Sequence, residues 1–288
     1  MTSLKRISSV AVCLLAAVTA QAFEGDGDNE RDLPLWEWGA GGGVLWGPAY
    51  LGSSVTRVHA APLPYGVYRG DRLKANREGV GLALINDGSL RLDLSLNGAL
   101  PVRSSGTARE GMRDLPPVVE LGPVLKLRFI SDGPRYWAFH WPVRYAAGLE
   151  RGAEHVGWIS DPTLRIIEPV RLWGLPLDFG LDVSAKFQSG DFNNYYYGVT
   201  RADARPARPV YRASGGYSGV TVNTGLLWRG EQMVVGTFVG ATDLRGARFE
   251  ASPLVEQRHN VFGGLAVFWV LQKSETMAPR RPVNVLSR

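Results

Sequence analysis

The chain has 288 residues and a formal charge of +5 that gathers in no basic cluster, which argues against a nucleic-acid partner. Its 35 glycines, 18 prolines, 9 tryptophans, 10 tyrosines and 10 phenylalanines suit strands and turns better than helices. The one cysteine, Cys13, leaves no pair for a disulfide.

Residues 1–22 read as a signal peptide. Lys5 and Arg6 form a short basic region, 7–20 are mostly apolar or small, and Ala20-Gln21-Ala22 is a small-x-small cleavage site. Val10-Ala11-Val12 before Cys13 lacks the Leu at −3 and the Gly or Ala at −1 that lipoprotein signals favour. Cleavage leaves about 266 residues, enough for one large β-domain. The mature chain has no cysteine, and loss of Lys5 and Arg6 lowers the formal charge from +5 to +3. No later run reaches 18 continuous apolar residues, so helical membrane spans are excluded. Residues 23–34, which open FEGDGDNERD, read as a flexible periplasmic leader.

The first strand is expected over 35–47 (LWEWGAGGGVLWG). Its glycines do not fit a phosphate-binding loop, because no Gly-Lys-Ser/Thr follows and the GxGxxG spacing is missed. They fit a strand that bends or that another segment approaches closely. Residues 55–68 and 73–85, joined through Arg69-Gly70-Asp71, read as a hairpin, and 88–100 as the next strand. The polar connection 101–117 is unusually long. Strands follow at 119–129, 137–145, 155–168 and 173–187. Residues 190–209 are irregular and aromatic, and 217–228, 232–244 and 257–271 close the series. The polar tail 272–288 is expected to be disordered. No helical period and no fixed internal repeat interrupts these strands.

Residues 175–187 decide the architecture. Leu175, Leu177, Phe179, Leu181, Val183, Ala185 and Phe187 are apolar, while Asp178, Gly180, Asp182, Ser184 and Lys186 alternate with them. The pattern holds beyond the 9–11 residues that a tilted strand needs to cross a bilayer. It recurs at Leu90, Leu92, Leu94 and Leu96, between Arg91, Asp93, Ser95 and Asn97. Only helices and closed barrels can satisfy their backbone in lipid. The fold expected is therefore all-β: a transmembrane antiparallel barrel of about 12 strands over 35–271, preferred to an exported sandwich. Trp36, Trp46, Tyr68, Trp137, Tyr145, Trp173, Tyr195, Tyr196, Tyr197 and Trp228 sit where aromatic belts would fall.

The same stretches carry a resemblance. Residues 35–54 (LWEWGAGGGVLWGPAYLGSS), 62–76 (PLPYGVYRGDRLKAN), 108–123 (AREGMRDLPPVVELGP), 211–219 (YRASGGYSG) and 244–255 (LRGARFEASPLV) resemble the MltA-interacting protein (MipA)/OmpV family of bacterial outer-membrane proteins, in the family's order. The resemblance implies location in the cell outer membrane of a Gram-negative envelope. It also implies a scaffold role between a lytic murein transglycosylase and a bifunctional murein synthase in peptidoglycan remodelling. The polar residues after Leu271 depart from barrels that end on an aromatic, and Phe268-Trp269 is the internal equivalent.

Arg91, Asp93, Glu120, Lys126, Arg128, Arg144, Asp178, Asp182 and Lys186 are expected to face the lumen. Their mixed signs suit a paired network that fills a small barrel better than an ion-selective pore. The four histidines lack metal-site spacing, Gly216-Tyr217-Ser218-Gly219 is one residue short of a nucleophile elbow, and no cofactor is expected. His140 with Ser184 or Asp182 keeps an outer-membrane lipid hydrolase as a third reading, behind a narrow channel or uptake barrel. The leading expectation is a non-enzymatic scaffold surrounded by outer-membrane lipid. Its candidate partner loop carries Arg103, Arg109, Glu110, Arg113 and Asp114. If the first strand rises from the periplasm and no strand is miscounted, that loop is the fourth connection and faces the periplasm.

Overall fold

Period-two alternation gives each strand an apolar face and a mixed face, and curling the sheet into a ring puts the apolar faces outside. The computed structural model describes residues 33–278, apart from 71, 72, 77, 78, 88, 133, 134 and 151. The expected signal peptide, residues 23–32 of the leader and 279–288 of the tail lie outside the described residues. In chain order the strands are β1 (Trp36–Pro48), β2 (Thr56–Arg69), β3 (Leu73–Asn76), β4 (Gly79–Asp87), β5 (Leu90–Ala99), β6 (Val118–Asp132) and β7 (Arg135–Pro142). Then come β8 (Arg144–Leu149), β9 (Ala153–Ser160), β10 (Thr163–Leu172), β11 (Leu175–Gln188), helix α1 (Gly190–Tyr197), β12 (Gly216–Arg229), β13 (Met233–Asp243) and β14 (His259–Lys273).

β7 and β8 form one stave, since both pair with β6 and only Val143 separates them. β9 and β10 form the next, paired with β8 and β7 and broken at Asp161-Pro162, where proline has no N–H to give. Pairing of β10 with β11 and of β1 with β14 closes the ring. The result is an all-β antiparallel barrel of twelve staves.

Four expectations change in detail. Residues 73–85 are not one strand but the short hairpin β3–β4. The strand expected at 173–187 starts at Leu175, because Trp173 and Gly174 make the turn with φ of 50° and 79°. Tyr195–Tyr197 belong to no belt but to α1, the one helix among the described residues. The tail boundary at Leu271 is too early: β14 runs to Lys273, Leu35 N–H donates to Thr276 O (2.8 Å), and Ala278 N–H donates to Leu33 O (2.8 Å).

The split of β3 from β4 also moves the long loop. It makes 100–117 the connection between the fifth and sixth staves, at the same end as the connections 49–55, 189–215 and 244–258. Both ends of the described chain and the remaining hairpin turns, apart from those after β3 and β8, lie at the opposite end. We call these the mouth and the terminus end.

Outside, Val44, Leu96, Leu121, Phe129, Trp141, Val183 and Leu265 are exposed, with Trp36, Trp38 and Trp269 toward the terminus end and Trp46 and Trp158 toward the mouth. Trp36 and Trp46 are ten residues apart on β1, about 25 Å after strand tilt, the height of a lipid-facing band. Inside, one half of the lumen holds an apolar cluster of Leu45, Leu63, Tyr65, Val67, Leu227, Val234, Ala266 and Phe268. β1 makes room for it with a bare inner strip. A Cβ on Gly41 would meet the Phe268 ring at 2.8 Å and Val267 O at 2.0 Å, and one on Gly43 would meet Leu63 at 3.1 Å. The glycines are there for close approach.

Gly41→Val should therefore abolish the compact form seen by heat-modifiable gel mobility. Gly42→Ala, whose Cβ would stand 3.4 Å from Ala61 O, should keep it. Equal mobility for the two variants would contradict this packing.

Candidate functional site

The mouth is built by its loops. α1 starts at Ser189, whose Oγ accepts from Phe192 N–H (3.2 Å) and Trp158 N–H (3.0 Å), the arrangement of a serine N-cap. It stops at Gly198, whose N–H donates to Asn194 O (2.9 Å). Asn194 Nδ2 donates to Ala213 O (2.7 Å) and Asn193 Nδ2 to Ser214 O (2.8 Å), which pins the helix to the returning chain. α1 thus brings Tyr195, Tyr196 and Tyr197 to the mouth, with Tyr197 buried against Tyr50 and Phe249.

Around them the four loops interlock. Tyr197 stacks on Phe249 with ring centres 3.7 Å apart and planes within 5°. Tyr197 Oη donates to Leu51 O (3.0 Å), Tyr50 Oη to Leu254 O (2.9 Å), and Ser252 Oγ to Tyr197 O (2.7 Å). Arg208 Nη1 donates to Ala108 O and Glu110 O, both at 2.9 Å. With Val102, Leu115, Ala213, Leu244 and Ala247 these groups form a buried apolar cap.

Two of the loops share one fold. In residues 104–112, Thr107 N–H donates to Ser104 O, Glu110 N–H to Thr107 O and Met112 N–H to Arg109 O. In 244–252 the same bonds run from Ala247 to Leu244, Glu250 to Ala247 and Ser252 to Phe249. Gly106 N–H donates to Glu110 Oε2 as Gly246 N–H does to Glu250 Oε2, and both glycines have positive φ, 70° and 77°. The loops stand six staves apart, on opposite sides of the mouth, and present Arg109 and Phe249 to the same cap. The signal is a Gly-x-x-x-Glu spacing repeated 140 positions apart, which a search for short-period repeats does not see.

The candidate partner loop is thus largely occupied in its own folding. Arg109 is buried and donates to Tyr196 O (2.6 Å), Glu110 closes the Gly106 turn, and Asp114 Oδ1 accepts from Ser104 N–H (2.7 Å). Arg113 reaches Glu154 on β9 (3.1 Å), and Arg103 is exposed.

Of the charged residues expected to face the lumen, seven of nine are buried and most are paired. Arg91 and Lys126 hold Asp93 at 2.5 Å and 3.2 Å. Arg144 bridges Glu120 (3.1 Å) and Asp161 (2.6 Å). Asp182 accepts from Arg165 at 2.9 Å and 2.7 Å. Arg128 and Asp178 are buried, and Lys186 is half-buried. Missed in the sequence were Arg165 and Glu37, which accepts from Tyr65 Oη (2.7 Å) beside Arg69 and Arg229, both 3.4 Å away. Glu37 was legible in principle as the polar member of the Trp36-Glu37-Trp38 alternation. His140 contacts Tyr136 Oη at 2.8 Å, while Thr163 stands in register between His140 and Ser184. That sets the His140 and Ser184 backbones about 10 Å apart, two strand spacings. Among the described residues no three His, Cys, Asp or Glu side chains are grouped to hold a metal ion.

The sequence model of the family described as MltA-interacting protein MipA matches residues 40–271, from β1 to β14. The chain belongs to that family. The match takes in the closed ring, the bare strip of β1 and all four mouth loops, so the capped barrel is what this member of the MipA family presents. No curated protein matches the chain.

Burial of the cap shows in its hydroxyls. Burial, reinforced by the nearby Glu256 charge, pushes Tyr50 up to about 12. Burial and then Glu154 do the same to Tyr195, also to about 12, and burial raises Tyr196 and Tyr197 as well. A folded pKa above the unfolded value of about 10 gives stability that is whole below that pH and lost as pH rises through the folded value. The cap should stay closed to about pH 10 and open as the pH nears 12. Tyrosinate absorbance and protease cleavage of 100–117 should rise together there; cleavage well before ionisation would contradict it.

Proposed function

We propose that the chain is an outer-membrane barrel without enzymatic activity. In this reading it holds a murein transglycosylase, and through it a bifunctional murein synthase, at the inner surface of the membrane. Its first 22 residues act as the export signal. The apolar outer band and its two rows of tryptophans support the membrane setting. Outer-membrane barrels turn tightly on the periplasmic side and carry longer loops outside. By that rule the terminus end faces the periplasm and the 101–117 loop faces away from any murein enzyme. The filled lumen and capped mouth speak against a channel.

Docking then falls to the terminus end, and one observation carries it. Trp173 sits in the turn between β10 and β11 at φ 50° and is 90% exposed. A bulky residue in the left-handed region is a costly choice for a tight turn, where Asn or Gly would be relaxed. It makes no aromatic stack with a described neighbour. Strain kept without a packing return points to function, and tryptophan is a leading anchor of protein interfaces. The family's description as MltA-interacting gives the partner class.

Trp173→Asn should leave the barrel folded and lower co-purification of the transglycosylase from solubilised envelopes by about tenfold or more, the loss of one anchor residue. Replacing 109–114 with a Gly/Ser linker should leave it unchanged. The opposite pattern would move docking to the mouth. The membrane setting has its own check: Leu181→Arg should reduce the heat-modifiable fraction while Leu181→Val does not, because arginine at mid-bilayer costs about 2–4 kcal/mol. Equal folded fractions would count against lipid contact at that face.

A further inference from the structure

The outer wall is apolar along most of its staves, but a charged group is set into it toward the terminus end. On β10 the buried Arg165 and Ile167 point inward, so Glu168 points outward with Leu164, Ile166 and Val170. On β7 the buried Tyr136 and Ala138 are inside, so Arg135, Trp137 and Phe139 are outside. Pairing of Ile166 with Trp137 brings the two outward sets together. Glu168 Oε2 accepts from Arg135 Nε (3.0 Å), and Glu168 Oε1 accepts from Trp137 Nε1 (2.6 Å). On the other side Phe179 stands opposite Glu168 in register.

The group has bonding capacity left over. Arg135 bonds through Nε alone among the described residues, and its side chain is 52% exposed, so Nη1 and Nη2 face outward with donors to give. Each Glu168 oxygen accepts one bond and has room for another. The indole N–H of Trp137 holds the carboxylate in place beside the guanidinium.

Stability does not explain this arrangement. An exposed ion pair contributes little, and a carboxylate turned toward hydrocarbon is unfavourable. A leucine at 168 would serve an apolar wall better. The pair suits the headgroup layer, where a phosphate and an amine are both at hand. Arginine's planar fork matches phosphate oxygens in charge-assisted bonds, and the carboxylate beside it accepts from an ammonium.

We propose that Arg135, Trp137 and Glu168 hold the headgroup of an aminoalkyl-phosphate lipid of the terminus-side leaflet, of the phosphatidylethanolamine type. Its phosphate meets Arg135 Nη1 and Nη2, its primary ammonium donates to Glu168, and its acyl chains lie along Phe139, Ile166 and Leu164. The inference rests on the outer-membrane reading above. It also marks where hydrocarbon ends on this side of the barrel. Leu172 lies four residues past Glu168, about 13 Å further along the strand. The exposed Leu172, Trp173 and Leu175 then stand beyond the headgroup, in the aqueous layer where a docking partner can reach them.

Native mass spectrometry of the full chain in detergent tests this, with phosphatidylethanolamine, phosphatidylglycerol or phosphatidylcholine added. All three carry a phosphate and acyl chains, but the second has no cation and the quaternary nitrogen of the third has no N–H to donate. Wild type should retain phosphatidylethanolamine about tenfold better than the others, the effect of one charge-assisted contact. Glu168→Gln should bring it down to their level, and Arg135→Gln should weaken all three about tenfold. Glycerophosphoethanolamine, the same headgroup without acyl chains, should not displace the lipid; displacement at equal concentration would make this a site for a soluble phosphate instead. Equal retention of the three lipids by wild type, or an unchanged preference in E168Q, would overturn the proposal. Heat-modifiable mobility of every variant reports the barrel separately. A heat-modifiable wild type that retains no phosphatidylethanolamine would sink this site alone, whereas a chain that never becomes heat-modifiable would sink the membrane reading.

Discussion

A sheet closed on itself pairs its own backbone around the ring, and this fold is built on that constraint. Each stave has its neighbour in sequence as its neighbour in space, and only β1 and β14 reach across the chain to close the ring. Interruptions occur where the sequence removes a donor or adds a residue: at Pro162, at Val143, and at the shifts after Trp38 and Ala185. The largest is the short β3–β4 hairpin, beside which, among the described residues, Thr56–Val67 of β2 pair with β1 alone. Pro62 and Pro64 lie on that stretch and carry no N–H.

The interior divides by side. Staves β1, β2, β12, β13 and β14 fill most of their half with hydrocarbon and rings, with the charged Glu37, Arg69 and Arg229 toward its terminus end, and β5 to β11 carry the other inner ion pairs. Three of the pairs join neighbouring staves: Lys126 to Asp93 across β5–β6, Arg144 to Glu120 across β6–β8, Arg165 to Asp182 across β10–β11. Buried pairs add little net stability, since desolvation offsets attraction. A slip of one residue, however, would turn one partner outward and strand the other. The pairs therefore specify register, and the apolar half and the tyrosine cap hold the molecule shut.

What was legible in the sequence was what repeats every two residues. The alternation over Leu175–Gln188 and Leu90–Ala99 gave both faces of the barrel, and the glycines of β1 gave the close approach. The loops were not legible, because loop folds depend on partners far away in sequence. Tyr195 to Tyr197 look like a belt until Ser189 and Gly198 are seen to cap a helix. Arg109 looks like a surface charge until Tyr196 O is found against it. One extra reversal at Asn76 moved a loop to the other end, because sidedness depends on a parity that a single miscounted turn inverts. Trp173 was seen as a belt residue; its backbone angle is invisible in sequence.

The closing seam has a kinetic consequence. Glu37 pairs with Lys273, whereas every other stave pairs with the next one along the chain. Hairpins can form in succession at low entropic cost, but the seam must wait until the last strand is available. β1 then meets the cluster with Gly39, Gly41 and Gly43 on its inner face between Glu37 and Leu45, so its middle stretch brings no side chain against Phe268 and Leu63. The short clasp of Leu33 and Leu35 with Ala278 and Thr276 then holds the two chain ends together. On this packing the glycine strip should ease closure, and the clasp should slow reopening.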